Sequence, residues 1–174
     1  LRFLIDALVK TSRLESGVLA MTPKRHGIQQ LLDAASAQAA PGAEAKAITL
    51  TVEPTDLTAR FDPKWTAEAL YNLVDNAVKY TPAGGAVTLR AVGYELFCRV
   101  DVTDTGPGIP ESEQARIFQR FYRSPSASEA EGVGIGLYLA RQIAAGQGGY
   151  LKVSSRPGEG STFSLFLPRA EERT

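Results

Sequence analysis

Along residues 63–80 the side chains recur with a helical period. At roughly 100° per residue, Thr66, Leu70, Leu73, Val74 and Ala77 fall on one side and predict a buried stripe. Asp62 followed by Pro63 reads as an N-cap with proline in the first turn, so a helix is expected to start there and run to about Tyr80, with Pro82 stopping it. Lys64, Glu68, Tyr71 and Asp75 turn towards water. Asn72, Asn76, Lys79 and Tyr80 follow the i, i+4, i+7, i+8 spacing and form a third stripe at the border between core and solvent. Asparagine is a mediocre helix former, because its short amide competes for backbone hydrogen bonds. Two of them one turn apart fit ordinary helix polarity. They equally fit a hard cation such as Mg²⁺, which takes oxygen ligands from protein and phosphates, beside a lysine that meets phosphate charge.

The same patterning organises the rest of the chain. Residues 1–18 read as an amphipathic helix, with Leu1, Leu4, Ile5 and Leu8 in register and no capping signal before them. Such a stripe is too apolar for a lone exposed helix, so a partner helix is expected that is missing from this chain or comes from a second copy, and the abrupt start suggests a fragment of a longer protein. Leu19 to Arg25 reads as a short strand, and residues 28–40 as an alanine-rich helix ended by Pro41-Gly42. Period-two alternation predicts strands at Ile48–Val52, Thr58–Asp62, Ala86–Tyr94 and Leu96–Thr103, the last two as a hairpin. A short helix is expected over Glu111–Ile117 and a longer one over Leu137–Ala145. Tyr150–Ser155 and Thr162–Leu167 would form a closing hairpin before a frayed tail at 169–174. Strands paired between helices argue for an α+β fold: a two-layer α/β sandwich, with a mixed, mostly antiparallel sheet of about five strands packed on three helices and preceded by a helix.

Composition narrows the classes. With 19 basic and 19 acidic residues among 174, the net charge is zero, and no bulk electrostatic argument points to a nucleic-acid partner. The single cysteine, Cys98, excludes an internal disulfide framework and is expected in the core. No apolar run approaches the roughly 20 residues that span a bilayer. His26, the only histidine, sits in the basic turn PKRHG without a second ligand nearby and is expected to be an exposed loop residue without chemistry.

Three further stretches carry candidate chemistry. Asp104-Thr105-Gly106-Pro107-Gly108-Ile109-Pro110 places a carboxylate at a strand end, followed by glycines where backbone must approach something closely or take unusual dihedrals. Phe118 and Phe121 anchor a loop, and Arg123 opens the small, polar segment 124–131, which looks like a lid. Gly132-Val133-Gly134-Ile135-Gly136-Leu137 leads into a helix, so that bare amides and the positive end of the dipole can face an anion. Neither a P-loop nor the dinucleotide fingerprint is present, since no Gly-Lys-Ser/Thr follows and Leu137 stands where a third glycine would be.

Taken in order, NLVDNAVKYTP, DTGPGIP, RIFQRFYR, GVGIGL and GEGSTF resemble the asparagine box, first glycine box, phenylalanine box, second glycine box and third glycine box of bacterial sensor histidine kinases. Their ATP-binding domain shares a Bergerat-type fold with DNA gyrase, heat-shock chaperone ATPases and mismatch-repair ATPases. The ending LVKTSRLESG of the first helix is similar to the end of that family's second dimerisation helix. The resemblance implies four parts: 1–18 as the end of the dimerisation hairpin, 19–27 as a linker, 28–168 as the catalytic ATP-binding domain and 169–174 as a tail. It further implies a cytoplasmic domain of a protein anchored in the bacterial inner membrane and homodimeric at full length. The implied partners are ATP with Mg²⁺, a histidine-bearing dimerisation hairpin and a response-regulator receiver domain.

Residue by residue, the resemblance implies that Asn76 ligates Mg²⁺ bridging the ATP phosphates, with Asn72 supporting that region. Lys79 and Arg123 would meet phosphate oxygens, Tyr80 would pack on the adenine side, and Asp104 would accept from the adenine amino group. Gly106, Gly108 and Ile109 would let the backbone pass the nucleotide. Gly132, Val133, Gly134, Gly136 and Leu137 would close over the phosphates, and Thr162 would sit near the base. Val133 replaces a commoner threonine or serine, and Gln147 a commoner histidine expected to matter structurally. The family's phosphoacceptor histidine has no counterpart here, so the chain is expected to bind ATP without phosphorylating itself. In the hydrolytic ATPases of the superfamily a water-activating glutamate lies four residues before the metal-binding asparagine. Here that position is Asn72, which favours a kinase over an ATPase, while a nucleotide-sensing module without transfer stays open.

Overall fold

The computed structural model describes residues 2–15, 20–119, 122 and 135–169. At its centre is α3, Pro63–Tyr80, bounded as its caps predict. The Asp62 carboxylate accepts the Trp65 amide at 3.2 Å, satisfying one of the first-turn donors. Thr66, Leu70, Leu73, Val74 and Ala77 are buried, joined by Trp65, Ala69 and Val78. This stripe, with α2 (Ile28–Ala45) and α5 (Gly136–Ala145), forms the helical layer.

The second layer is a five-stranded sheet. Its strands are β2 (Thr49–Val52), β4 (Ala86–Gly93), β5 (Phe97–Asp104), β6 (Tyr150–Ser155) and β7 (Ser161–Pro168). Their order is β2-β4-β5-β7-β6, with β2 parallel to β4 and every other neighbour antiparallel. The chain is therefore an α+β two-layer sandwich with a mixed, mostly antiparallel sheet. Alternation puts Val87, Leu89, Cys98, Val100, Val102, Phe163, Leu165 and Leu167 against the helices. The other face carries Thr88, Arg90, Thr103 and Thr162, with Phe97, Tyr150 and Phe166 clustered at one end. Cys98 is core as expected, and burial pushes its thiol up to about 11.

Several expectations need correction. α2 runs through Pro41 and Gly42 to Ala45, because Ala39 and Ala43 bury against the core and their packing offsets the hydrogen bond that proline removes. The strand expected over Leu19–Arg25 is instead β1, Lys24–Gly27, and it pairs antiparallel with β3, Thr58–Phe61, in a separate ribbon. His26 consequently lies in a strand with its ring 5.4 Å from that of Phe61, not in an exposed loop. Leu96 is 72% exposed, because the turn between β4 and β5 holds it out of the strand. The helix expected over Glu111–Ile117 is a single turn, α4, Glu111–Gln114.

The first helix, α1 (Arg2–Glu15), packs on α5. Lys10 pairs with Glu68 at 2.6 Å, and the Tyr138 hydroxyl donates to Glu15. Residues 20–22 are fastened as well. The Asp62 carboxylate accepts the Thr22 amide at 2.9 Å and its hydroxyl at 3.3 Å, and Met21 lies against Gly146. Among the described residues no helix is long and apolar enough to cross a membrane.

Candidate functional site

Strand β5 ends at Asp104, whose carboxylate is buried on the helix-facing side of the sheet. Burial raises its pKa above the ordinary carboxylate range, while the amides of Gly106 and Ser161 pull it back. The Gly106 amide donates to Oδ1 at 2.9 Å. A side chain at Gly106 would press on that carboxylate and on the Tyr80 carbonyl, 3.2 Å away, so glycine lets the strand end meet the last turn of α3.

The middle of α3 meets a different element. The Asn72 amide donates to the Gly136 carbonyl at 3.3 Å, where α5 begins. Among the described residues no side chain caps its start, and its first turn holds no acid, so its leading amides and positive dipole end suit an anion. Asn72 and Gly136 also line a cleft of ≈ 430 Å³ between α1, α3 and α5. Asn76 lies one turn beyond Asn72 and one turn before Tyr80, half-buried, and its side chain makes no hydrogen bond to another described residue. Lys79 pairs with Asp75 at 2.9 Å. Tyr71 has its hydroxyl pKa raised by burial and by Asp75, with Lys79 opposing.

α3 is thus a shared wall, with the buried carboxylate at its C-terminal end and the start of α5 beside its middle. Asn72, Asn76, Lys79 and Tyr80 lie on it, with Gly136 beside Asn72 and with Asp104 and Gly106 near Tyr80 at its C-terminal end. Leu137 and Ile109 pack on the core, and the Ile109 amide donates to Ser155 at 2.7 Å. Gly108, at φ 77°, is occupied by the closing hairpin, since a side chain there would run into the Arg156 carbonyl. Thr162 stands on the opposite face of the sheet, with its hydroxyl 3.1 Å from that of Thr103. Arg123, Gly132, Val133 and Gly134, the segment 124–131 and the tail from residue 170 lie outside the described residues.

Sequence reading missed Ser161. Paired with Asp104 across β5 and β7, it is buried on the helix-facing side and aims its amide at the carboxylate. Its signal was present, since a core Phe163 fixes Ser161 inward and Thr162 outward by period-two alternation.

Among the described residues no cluster of three or more His, Cys, Asp or Glu side chains could hold a metal unaided. The amide oxygen of Asn76, without a hydrogen bond to another described residue, suits a hard cation that brings most of its ligands with it, as Mg²⁺ does on a triphosphate.

The family model described as Histidine kinase-, DNA gyrase B-, and HSP90-like ATPase matches residues 61–171, more than half of the chain. The chain belongs to this ATPase family. Among its relatives, the Adaptive-response sensory kinase SasA of Synechococcus sp. (strain JA-3-3Ab) is 42% identical over 131 residues, covering 74% of this chain and 35% of its own. The Sensor protein DivL of Caulobacter vibrioides is 36% identical over 170 residues, 97% of this chain and 22% of DivL. Among solved structures, full-length ShkA in complex with AMPPNP superposes with a TM-score of 0.84 at 28% identity, over 98% of this chain and 36% of ShkA. The chain thus spans about a fifth to a third of the length of these sensory proteins.

Proposed function

We propose that this chain is the catalytic ATP-binding domain of a sensor histidine kinase: it binds Mg·ATP and presents the γ-phosphoryl group to a histidine on a separate dimerisation hairpin. The observation that carries the reading is the shared wall of α3, which joins a buried carboxylate at one end to the uncapped start of α5 at its middle. The carboxylate of Asp104, steadied by Gly106 and Ser161, accepts from the exocyclic amine of adenine. The leading amides of α5 receive phosphate oxygens, and the Asn76 amide oxygen meets the cation on the triphosphate. Lys79, released from Asp75, and Arg123 add positive charge, and Val133 with its glycine neighbours covers the phosphates. Phosphoryl transfer of this kind depends on positioning and charge neutralisation more than on covalent help from the protein.

A hydrolytic ATPase would need a carboxylate where Asn72 stands, and Glu68, one turn earlier, is engaged by Lys10. The full-length protein is read as a homodimer, anchored in a bacterial inner membrane, that passes its phosphoryl group to a receiver domain. That reading rests on the kinship with sensory proteins. The test supplies the histidine-bearing hairpin of a relative in trans with Mg·ATP. Acid-labile phosphate on the hairpin is expected. Steady phosphate release without labelling would replace the reading with an ATPase, and tight binding with neither would replace it with a nucleotide sensor.

A further inference from the structure

An α-helix ends in four carbonyls with no intrahelical partner, and those shielded from water need another donor. In α3 these belong to Ala77, Val78, Lys79 and Tyr80. The Ala77 carbonyl accepts from the amide of Thr81 at 3.1 Å and from its hydroxyl at 2.7 Å. Val78 cannot be served in the same way. Four residues on stands Pro82, which has no N–H, and Thr81 has already left helical dihedrals at φ −84°, ψ 127°.

The donor comes from another element. Lys46, half-buried at the C-cap of α2, gives its Nζ to the Val78 carbonyl at 3.0 Å and to the Lys79 carbonyl. A cation there also complements the negative end of the α3 dipole. The arm is itself fixed. Ala47, which follows, sits at φ 57°, a left-handed conformation that is strained for a residue with a Cβ, and its carbonyl accepts the Gly84 amide at 3.0 Å. Such a conformation persists only where its surroundings over-determine it. The turn that Lys46 closes is the one that presents Lys79 and Tyr80, and it holds the helical hydrogen bond to the carbonyl of Asn76.

We infer that Lys46 is a positioning residue of the nucleotide site: its ammonium keeps the last turn of α3 wound, so that Asn76 and Lys79 face the phosphate end of the ligand. Lys46 acts through the helix, without touching the nucleotide. This inference rests on the ATP-binding reading above, and the experiment separates the two.

ATP affinity of the whole 174-residue chain is measured by calorimetry with Mg²⁺ and with the metal chelated. No binding by the unsubstituted chain would remove the ATP reading itself. With that control in place, Lys46→Met is expected to bind Mg·ATP about tenfold more weakly, as the loss of charge-assisted hydrogen bonds implies, and to lose most of the advantage that Mg²⁺ gives. Lys46→Arg keeps a donor fork and restores the affinity. Lys46→Gln, which reaches one carbonyl, falls between and serves as the working variant should Lys46→Met not fold. In an Asn76→Ala background Lys46→Met should cost little more. An equal fall in metal-free and metal-bound affinity, a fully additive double variant, or Mg·ATP binding within twofold of the parent would each overturn the assignment.

Discussion

The side-chain amide of Asn72 donates to the carbonyl of Gly136 at 3.3 Å, and so couples the middle of α3 to the first residue of α5. A neutral hydrogen bond of this kind contributes about 1 kcal/mol, so Asn72→Ala is expected to weaken ATP binding about fivefold. Asn72→Asp removes the donor and sets a negative charge beside a carbonyl and an incoming phosphate, and should cost tenfold or more. Calorimetry on the two variants checks the order. Equal affinities would dissociate this bond from the site.

Asp104 predicts opposite effects on binding and stability. Its raised pKa means that burial penalises the ionised form, so the stability tied to its protonated form is present at low pH and lost as pH rises through the folded value. Asp104→Asn should therefore melt higher than the parent at pH 7, and the gap should close on acidification. In the proposed ATP site the same change sets a partial donor where the adenine amine would need an acceptor, and it should lower ATP affinity about ten- to a hundredfold. Melting curves at several pH values, together with a binding isotherm, test both halves.

Asp62 has the reverse sign. Burial raises its pKa, but the amides of Thr22, Trp65 and Lys64 and the Thr22 hydroxyl outweigh it, leaving the group below the ordinary carboxylate value. Its stabilisation is complete above the unfolded value and fades as pH falls through the lower folded one. Asp62→Ala removes the α3 cap and the anchor of Thr22, and should cost about 2 kcal/mol at neutral pH. Chemical denaturation from pH 7 down to about 2 should show the parent approaching the variant.

Gly108→Ala tests the contact between the DTGPGIP loop and the closing hairpin. A Cβ at φ 77° is strained by about 1–2 kcal/mol, and here it also meets the Arg156 carbonyl. A loss of at least 2 kcal/mol is expected from urea unfolding. A neutral result would mean that the loop can move away from the hairpin at little cost.

Legibility in the sequence followed the range of the forces involved. α3 was readable in full because cap, stripe and stop are local to residues 62–82. Strand alternation likewise located the sheet. Long-range packing was not readable: Ala39 and Ala43 carry α2 past Pro41, and pairing with β3 moves β1 and turns His26 onto Phe61. At the candidate site, Asn72 and Asp104 could be singled out by residue type. Ser161 was passed over for Thr162, although inward-facing Phe163 next to it decides which of the two meets Asp104. Lys46 left no trace in its own neighbourhood, because its partners lie 32 and 33 residues away.

Gln147, just past the end of α5, is buried and bonds the Asp62 amide at 2.5 Å, the Thr66 hydroxyl at 2.9 Å and the Ile143 carbonyl at 3.3 Å. At the opposite end of α5, Asn72 of α3 donates to the Gly136 carbonyl. Both ends of α5 are therefore tied to α3, the rear through Gln147 and Thr66 and the front through Asn72. A shift of either helix is passed to the other at Gly136, where an incoming anion would feel it.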